Sequence, residues 1–121
     1  MTIEPLATDF SVCKVTDYSL VEMESPFVFT ASIDIERSLV CPTEFVPENA
    51  TNCENGWKAF RIVGTLDFSL IGIIANITKL LAERKIGVFV VSTFDTDYML
   101  VKQEDLDTAV AVMVRSGYEV I

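Results

Sequence analysis

The second half of the chain predicts an α+β fold in the order strand, helix, strand, strand, helix, strand. Three observations carry this. Trp57 to Val63, WKAFRIV, alternates apolar and charged residues with the period of a half-buried strand. Leu70, Ile73, Ile74, Ile77, Leu80 and Leu81 then recur at the spacing of a helix with about 3.6 residues per turn. Two further apolar runs, within VFVVSTF and from Tyr98 to Lys102, are joined by a short polar segment, as two strands joined by a turn would be.

Each element follows from local chemistry. Gly64 breaks the first strand, and Asp67 or Ser69 can cap the helix that follows. Arg84 and Lys85 suit that helix's C-terminal end, where the dipole is negative. Gly87 opens VFVVSTF, whose unbroken apolar run predicts a strand covered on both faces. Glu104, Asp105 and Asp107 mark a second helix start, Leu106, Ala109, Val110 and Met113 form its stripe, and Gly117 stops it. YEVI is a last short strand. The pattern is βαββαβ, a ferredoxin-like plait.

The first half is less regular. Phe10–Val15, Phe27–Ile33 and Glu36–Pro42 read as strands with no long helical stripe between them. CPTEFVPENATNCENG, Cys41 to Gly56, is rich in Pro, Asn, Glu and Thr and reads as a loop or linker. Two parts are therefore expected, residues 1–55 and residues 56–121, the first being a reduced second copy of the plait or an extra sheet layer.

Composition excludes several function classes. The 121 residues carry nine bases against eighteen acids, a net charge of −9. Nucleic-acid binding rests on neutralising phosphates, and anionic membranes attract bases, so neither partner is expected. No apolar stretch reaches the roughly 18 residues of a membrane span, and MTIEPLATDF lacks the apolar segment of a secretory signal, so a soluble cytoplasmic chain is expected. Three cysteines, an odd number without a CxxC, suggest reduced thiols rather than a disulfide framework or zinc site. There is no histidine, which removes Ser-His and Cys-His nucleophilic pairs and the HExxH metal motif. Neither GxxxxGK[ST] nor GxGxxG occurs, and no cofactor is expected.

Two segments remain as a candidate site. The loop GTLDFSLIG, Gly64 to Gly72, leads into the first helix, whose free N–H groups suit a carboxylate. The polar segment STFDTDY, Ser92 to Tyr98, offers Asp97 for an ammonium. The strand Trp57–Val63 and the strand VFVVSTF are expected to pair in parallel across the first helix, which would bring loop and segment to one edge of the sheet. That combination suits a free amino acid. Plainer readings stand beside it: Asp95 as a turn-former binding its own backbone, and GTLDFSLIG as an ordinary capped helix start.

From Gly56 to Val120 the sequence resembles the ACT domain family, above all in VGTLDFSLIGIIANI, in STFDTDYMLV and in the closing helix with its glycine. It looks like the branch of small bacterial ACT proteins that includes the cytosolic arginine sensors of animals, with residues 1–55 similar to their degenerate N-terminal ACT-like repeat. The resemblance implies amino-acid-responsive regulation without catalysis, and effectors held between paired ACT units. It puts ligand contacts on Asp67, Phe68, Ser69, Leu70, Ile71 and Gly72, and on Ser92, Thr93, Phe94 and Asp97. The arginine sensors carry an acid where Leu70 stands, which opens the site to small or apolar amino acids. A homodimer is expected, with pairing inside the chain as the alternative. The rival functions are a structural pairing domain with a decayed site and a small enzyme using Cys41 or Cys53 as nucleophile.

Overall fold

The computed structural model describes residues 1–63 and 72–121. Eight strands and two helices are found among them: β1 (Thr2–Pro5), β2 (Phe10–Val15), β3 (Phe29–Ser32), β4 (Arg37–Pro42), β5 (Ala50–Val63), α1 (Ile73–Ala82), β6 (Phe89–Ser92), β7 (Asp97–Lys102), α2 (Leu106–Arg115) and β8 (Glu119–Val120). The fold is α+β with two helices and a mixed sheet, as the pattern predicts. The chain divides into two compact units, one of Met1–Ala7 with Lys58–Ile121, the other of Thr8–Trp57.

In the unit built from Met1–Ala7 and Lys58–Ile121, the strand order is β6, β7, β5, β1, β8. Strand β1 was not apparent in the sequence: it is four residues long and ends in Pro5, a residue confined to strand ends and edges. It pairs antiparallel with β5 (Thr2 opposite Val63, Pro5 opposite Phe60) and parallel with β8. Ile3 is fully buried between flanking Thr2 and Glu4, so a single inward side chain anchors it. The core comprises Ile3, Phe60, Ile62, Ile77, Leu81, Met99, Val101, Ala109 and Met113, with Ile86 and Tyr118 at its margin.

The expected parallel pairing of Trp57–Val63 with VFVVSTF is not found. The β6–β7 hairpin sends β7 back beside β5, and β6 pairs only with β7 among the described residues. A helical crossover needs only to return to the same sheet, and here it leaves one strand's width for the hairpin's second arm.

The helix termini depart from expectation in one place. The N-cap of α1 is Gly72 at φ 91°, with the Asn76 N–H donating to its carbonyl at 2.8 Å. Asp67 and Ser69, the expected caps, lie outside the described residues. Gly117, at φ 98°, follows α2 as expected. There the Tyr118 N–H reaches the Met113 carbonyl at 3.1 Å and the Gly117 N–H reaches Val114 at 3.0 Å, the bond pair of a Schellman cap.

In the unit Thr8–Trp57, β2 pairs antiparallel with β4 and with the first half of β5, and β3 pairs antiparallel with β4. Its core is Cys13, Val15, Leu39 and Cys41, with Tyr18, Val21, Val28, Val46 and Ala50 packed against it. The expected loop Cys41–Gly56 is only partly a loop. Cys41 and Pro42 end β4, Thr43–Phe45 is a 3₁₀ turn, and β5 starts at Ala50. Thr51–Asn55 are exposed, so this stretch is a strand through its backbone ladder to β2, not through buried side chains. Composition registers side-chain burial, and it has no access to that ladder.

Candidate functional site

The hairpin joining β6 to β7 carries STFDTDY. Val91 stands opposite Tyr98 and Ser92 opposite Asp97 in the ladder. Beyond that last pair the chain reverses through Thr93–Thr96. The Thr93 N–H donates to the Thr96 carbonyl at 2.8 Å, the Thr93 hydroxyl donates to the same oxygen at 2.9 Å, and the Thr96 N–H donates back to Thr93 Oγ1 at 3.3 Å. The reversal is closed by these bonds between Thr93 and Thr96, with none of its residues at the positive φ that glycine or asparagine supplies in a two-residue hairpin turn. Phe94 at the tip is fully exposed.

One bond fixes where this turn sits. The Thr96 hydroxyl donates to the Ile62 carbonyl at 2.8 Å, next to the end of β5 at Val63. The polar turn therefore lies at the end of the strand that leads toward GTLDFSLIG. The hairpin reaches the end of β5 through the neighbouring strand β7 and not through direct pairing of β5 with β6, while residues 64–71 of GTLDFSLIG lie outside the described residues.

Arg61 strengthens the same sheet region. Its Nε donates to Glu4 Oε1 at 2.8 Å, its Nη1 donates to the Tyr98 hydroxyl at 3.2 Å, and the guanidinium lies 6.0 Å from that ring's centroid. Hydrogen bonding to Tyr98 and then Glu4 holds the guanidinium above its ordinary pKa. The arrangement ties β1, β5 and β7 together beside Asp97.

Of the expected ligand residues, Ser92, Thr93, Phe94 and Asp97 are gathered in one hairpin, and Asp97 is half-buried at the start of β7. Gly72 starts α1. Asp67, Phe68, Ser69, Leu70 and Ile71 lie outside the described residues. Thr96, Arg61 and Tyr98 were not singled out in the sequence. The legible signal for Thr96 was its spacing from Thr93, two hydroxyls bracketing a reversal.

The candidate nucleophiles are placed differently. Cys41 is buried, and burial is the main cause pushing its thiol up to about 11, which keeps it protonated near neutral pH. Cys53 is exposed. Among the described residues, no three of His, Cys, Asp and Glu gather in a way that could hold a metal ion, and no helix is long and apolar enough to cross a membrane.

Two helices on a mixed sheet, with an open polar hairpin at the end of the first plait strand, define a small α+β plait domain. A family model described as the ACT domain matches residues 52–115, and the chain belongs to the ACT domain family. The protein Atu0741 of Agrobacterium tumefaciens has a similar structure at 26% identity, covering 99% of this chain and 91% of that one, with a TM-score of 0.87. A Vibrio cholerae protein, VC0802, described as of unknown function and a possible transport protein, matches at 22% identity over 94% of this chain and 88% of its own, TM-score 0.69. The regulatory subunit of aspartate kinase from Thermus thermophilus, in its ligand-free form, shares the fold at 8% identity, with 97% of each chain covered and a TM-score of 0.68. No curated protein matches.

Proposed function

We propose that this chain is a non-catalytic regulatory module that binds a free amino acid. Residues 56–121 act as the ACT domain and residues 1–55 as a reduced ACT-like repeat. The ligand is held by Asp67, Phe68, Ser69, Leu70, Ile71 and Gly72 on one side and by Ser92, Thr93, Phe94 and Asp97 on the other. The observation that carries this reading is the bond from Thr96 to the Ile62 carbonyl, which sets the polar hairpin at the end of the strand leading into the ligand loop. Helix-start N–H groups are donors for a carboxylate, and Asp97 is the nearby anion for the ammonium. The likeness in fold to the aspartate kinase regulatory subunit supports a regulatory role. Leu70, at the place where the arginine sensors carry an acid, widens the ligand class to small and apolar amino acids. The module works as a homodimer in the cytoplasm.

The test is a thermal-shift screen of the twenty amino acids followed by calorimetry. A ligand at a hundredfold excess over Kd stabilises the folded state by about 2.7 kcal/mol, a clear shift in Tm. Asp97→Ala should weaken binding by about 1.5–3 kcal/mol, the range for a hydrogen bond to a charged group, and Asp95→Ala by much less. A flat screen sinks the ligand reading and leaves the structural pairing domain. Equal losses at Asp95 and Asp97 remove Asp97 from its role.

A further inference from the structure

We infer that Cys13 and Cys53 form a reversible intramolecular disulfide, a two-electron redox site entered through Cys53 and closed by exchange with a low-molecular-weight disulfide. The three cysteines, an unremarkable odd set in the sequence, converge in the unit Thr8–Trp57. Cys13 on β2 stands directly opposite Cys53 on β5, and their sulfurs are 3.0 Å apart. Directly opposed residues of an antiparallel pair have Cα atoms about 4.5–5.5 Å apart, within the roughly 4.4–6.8 Å that a disulfide spans. The backbone therefore needs no rearrangement to close the bond.

The local ladder keeps these two residues in register. From Phe10 to Val12 the strand β2 advances by two residues, while β5 goes from Trp57 to Glu54. The extra residue is accommodated at Gly56, whose φ of 84° suits a bulge glycine. A second register shift lies between Lys14 and Val15, where β5 goes from Asn52 to Ala50. Two bulges on β5 thus bracket the cysteine pair. On one side Asn55 Oδ1 accepts from Cys53 Sγ at 3.3 Å and from the buried Ser11 hydroxyl at 2.6 Å.

The two thiols are not equivalent. Cys13 is 4% exposed, and burial followed by its hydrogen bond to Cys53 raises its pKa, so it holds its proton. Cys53 is exposed, and both residues line an open groove of about 450 Å³ with Lys14, Glu36 and Asn52. Chemistry starts at Cys53. Its thiolate attacks the small disulfide, forming a mixed disulfide and releasing one small thiolate. Cys13 then loses its proton and attacks the Cys53 sulfur. The mixed bond breaks, the second small thiolate leaves, and it takes up that proton. Two protein thiols lose two electrons in total, and the small disulfide becomes two thiols. Cys41 is buried on β4 and keeps its thiol.

The experiment incubates the full chain with oxidised glutathione, quenches with an alkylating agent in denaturant so that every free thiol is reached, and maps disulfides by mass spectrometry after proteolysis. The expected product lacks two hydrogens, carries one alkylated thiol at Cys41, and yields a single linked pair, Cys13 with Cys53. Dithiothreitol should reverse it, and the oxidised chain should melt about 5–10 °C higher, the scale of one loop-closing disulfide in a small domain. Cys41→Ser should close the same bond. Cys53→Ser, a change at an exposed position, should close none, and its Tm in reductant reports whether it folds. A disulfide that includes Cys41, a stable glutathione adduct at Cys53, or a Cys53-linked dimer as the main product overturns the assignment.

Discussion

At Cys41 the packing around one sulfur changes the chemistry that the sequence leaves open. Beside Cys13 and Leu39 in the core, its thiol moves from the ordinary 9.0 to about 11, with burial as the main cause and the neighbouring Cys53 adding to it. Between pH 9 and 11 the folded chain keeps a proton that the unfolded chain has lost, so the stability tied to Cys41 is fully present below 9 and lost as pH rises toward 11. Denaturant unfolding at about pH 8 and about pH 10 should show the natural chain losing roughly 1 kcal/mol more between the two than Cys41→Ala does. Equal losses in both chains would place the cause elsewhere. Residue types alone made Cys41 and Cys53 equal candidates as nucleophiles, because burial is a property of the fold. The same limit applies in STFDTDY. Asp95 and Asp97 draw the eye as the charged pair, yet the turn is closed by Thr93 and Thr96, whose hydroxyls reach backbone oxygens that composition does not reveal.

The two helices end in the same way with different residues. After α2, Gly117 takes the left-handed conformation. After α1 the same position falls to Lys85 at φ 59°, with the Ile86 N–H bonded to the Leu81 carbonyl at 3.0 Å and the Lys85 N–H to Ala82 at 2.9 Å. The glycine was readable as a stop because only it enters this conformation without steric cost. Lys85 reads as a charge suited to the helix dipole, and its backbone state is hidden by that. The difference is testable in both directions. Lys85→Gly should raise stability by about 0.5–1 kcal/mol, the strain relieved less the entropy a glycine adds to the unfolded chain. Gly117→Ala should lower it by about 1 kcal/mol, and since nothing lies within 4 Å of an added Cβ, the loss is conformational and not a clash. Urea unfolding of both variants checks this; a Lys85→Gly chain less stable than the natural one would contradict a strained left-handed cap at Lys85. Strand β5 shows the converse limit. Trp57–Val63 was legible because its alternation reports burial, and Ala50–Gly56, continuous with it, was not, because its polar side chains face water while the backbone pairs with β2.

At the scale of the whole molecule, what the plait leaves unpaired argues for assembly. Among the described residues β6 pairs only with β7, β8 only with β1, and β3 only with β4. An open strand edge presents N–H and C=O groups to any partner, and proteins that keep such edges cover them or pair them deliberately. These edges are short, four residues or fewer, which limits uncontrolled pairing while leaving room for a specific one. Apolar side chains stand exposed as well, with Ile35 80% and Phe94 103% accessible. Phe94 sits at the tip of the hairpin that carries Asp97, so a second copy covering it would also close over the proposed ligand site. Twofold pairing of identical chains is the commonest closed arrangement for soluble oligomers, and it would give two equivalent sites. Sedimentation equilibrium at micromolar concentration should therefore return a dimer mass, and Phe94→Ser should shift the equilibrium toward monomer without lowering the Tm of the monomer itself. Linkage adds a second signature, since a ligand held between copies binds the dimer better than the monomer and must tighten association in return. A chain that stays monomeric while binding one amino acid per molecule would overturn the homodimer.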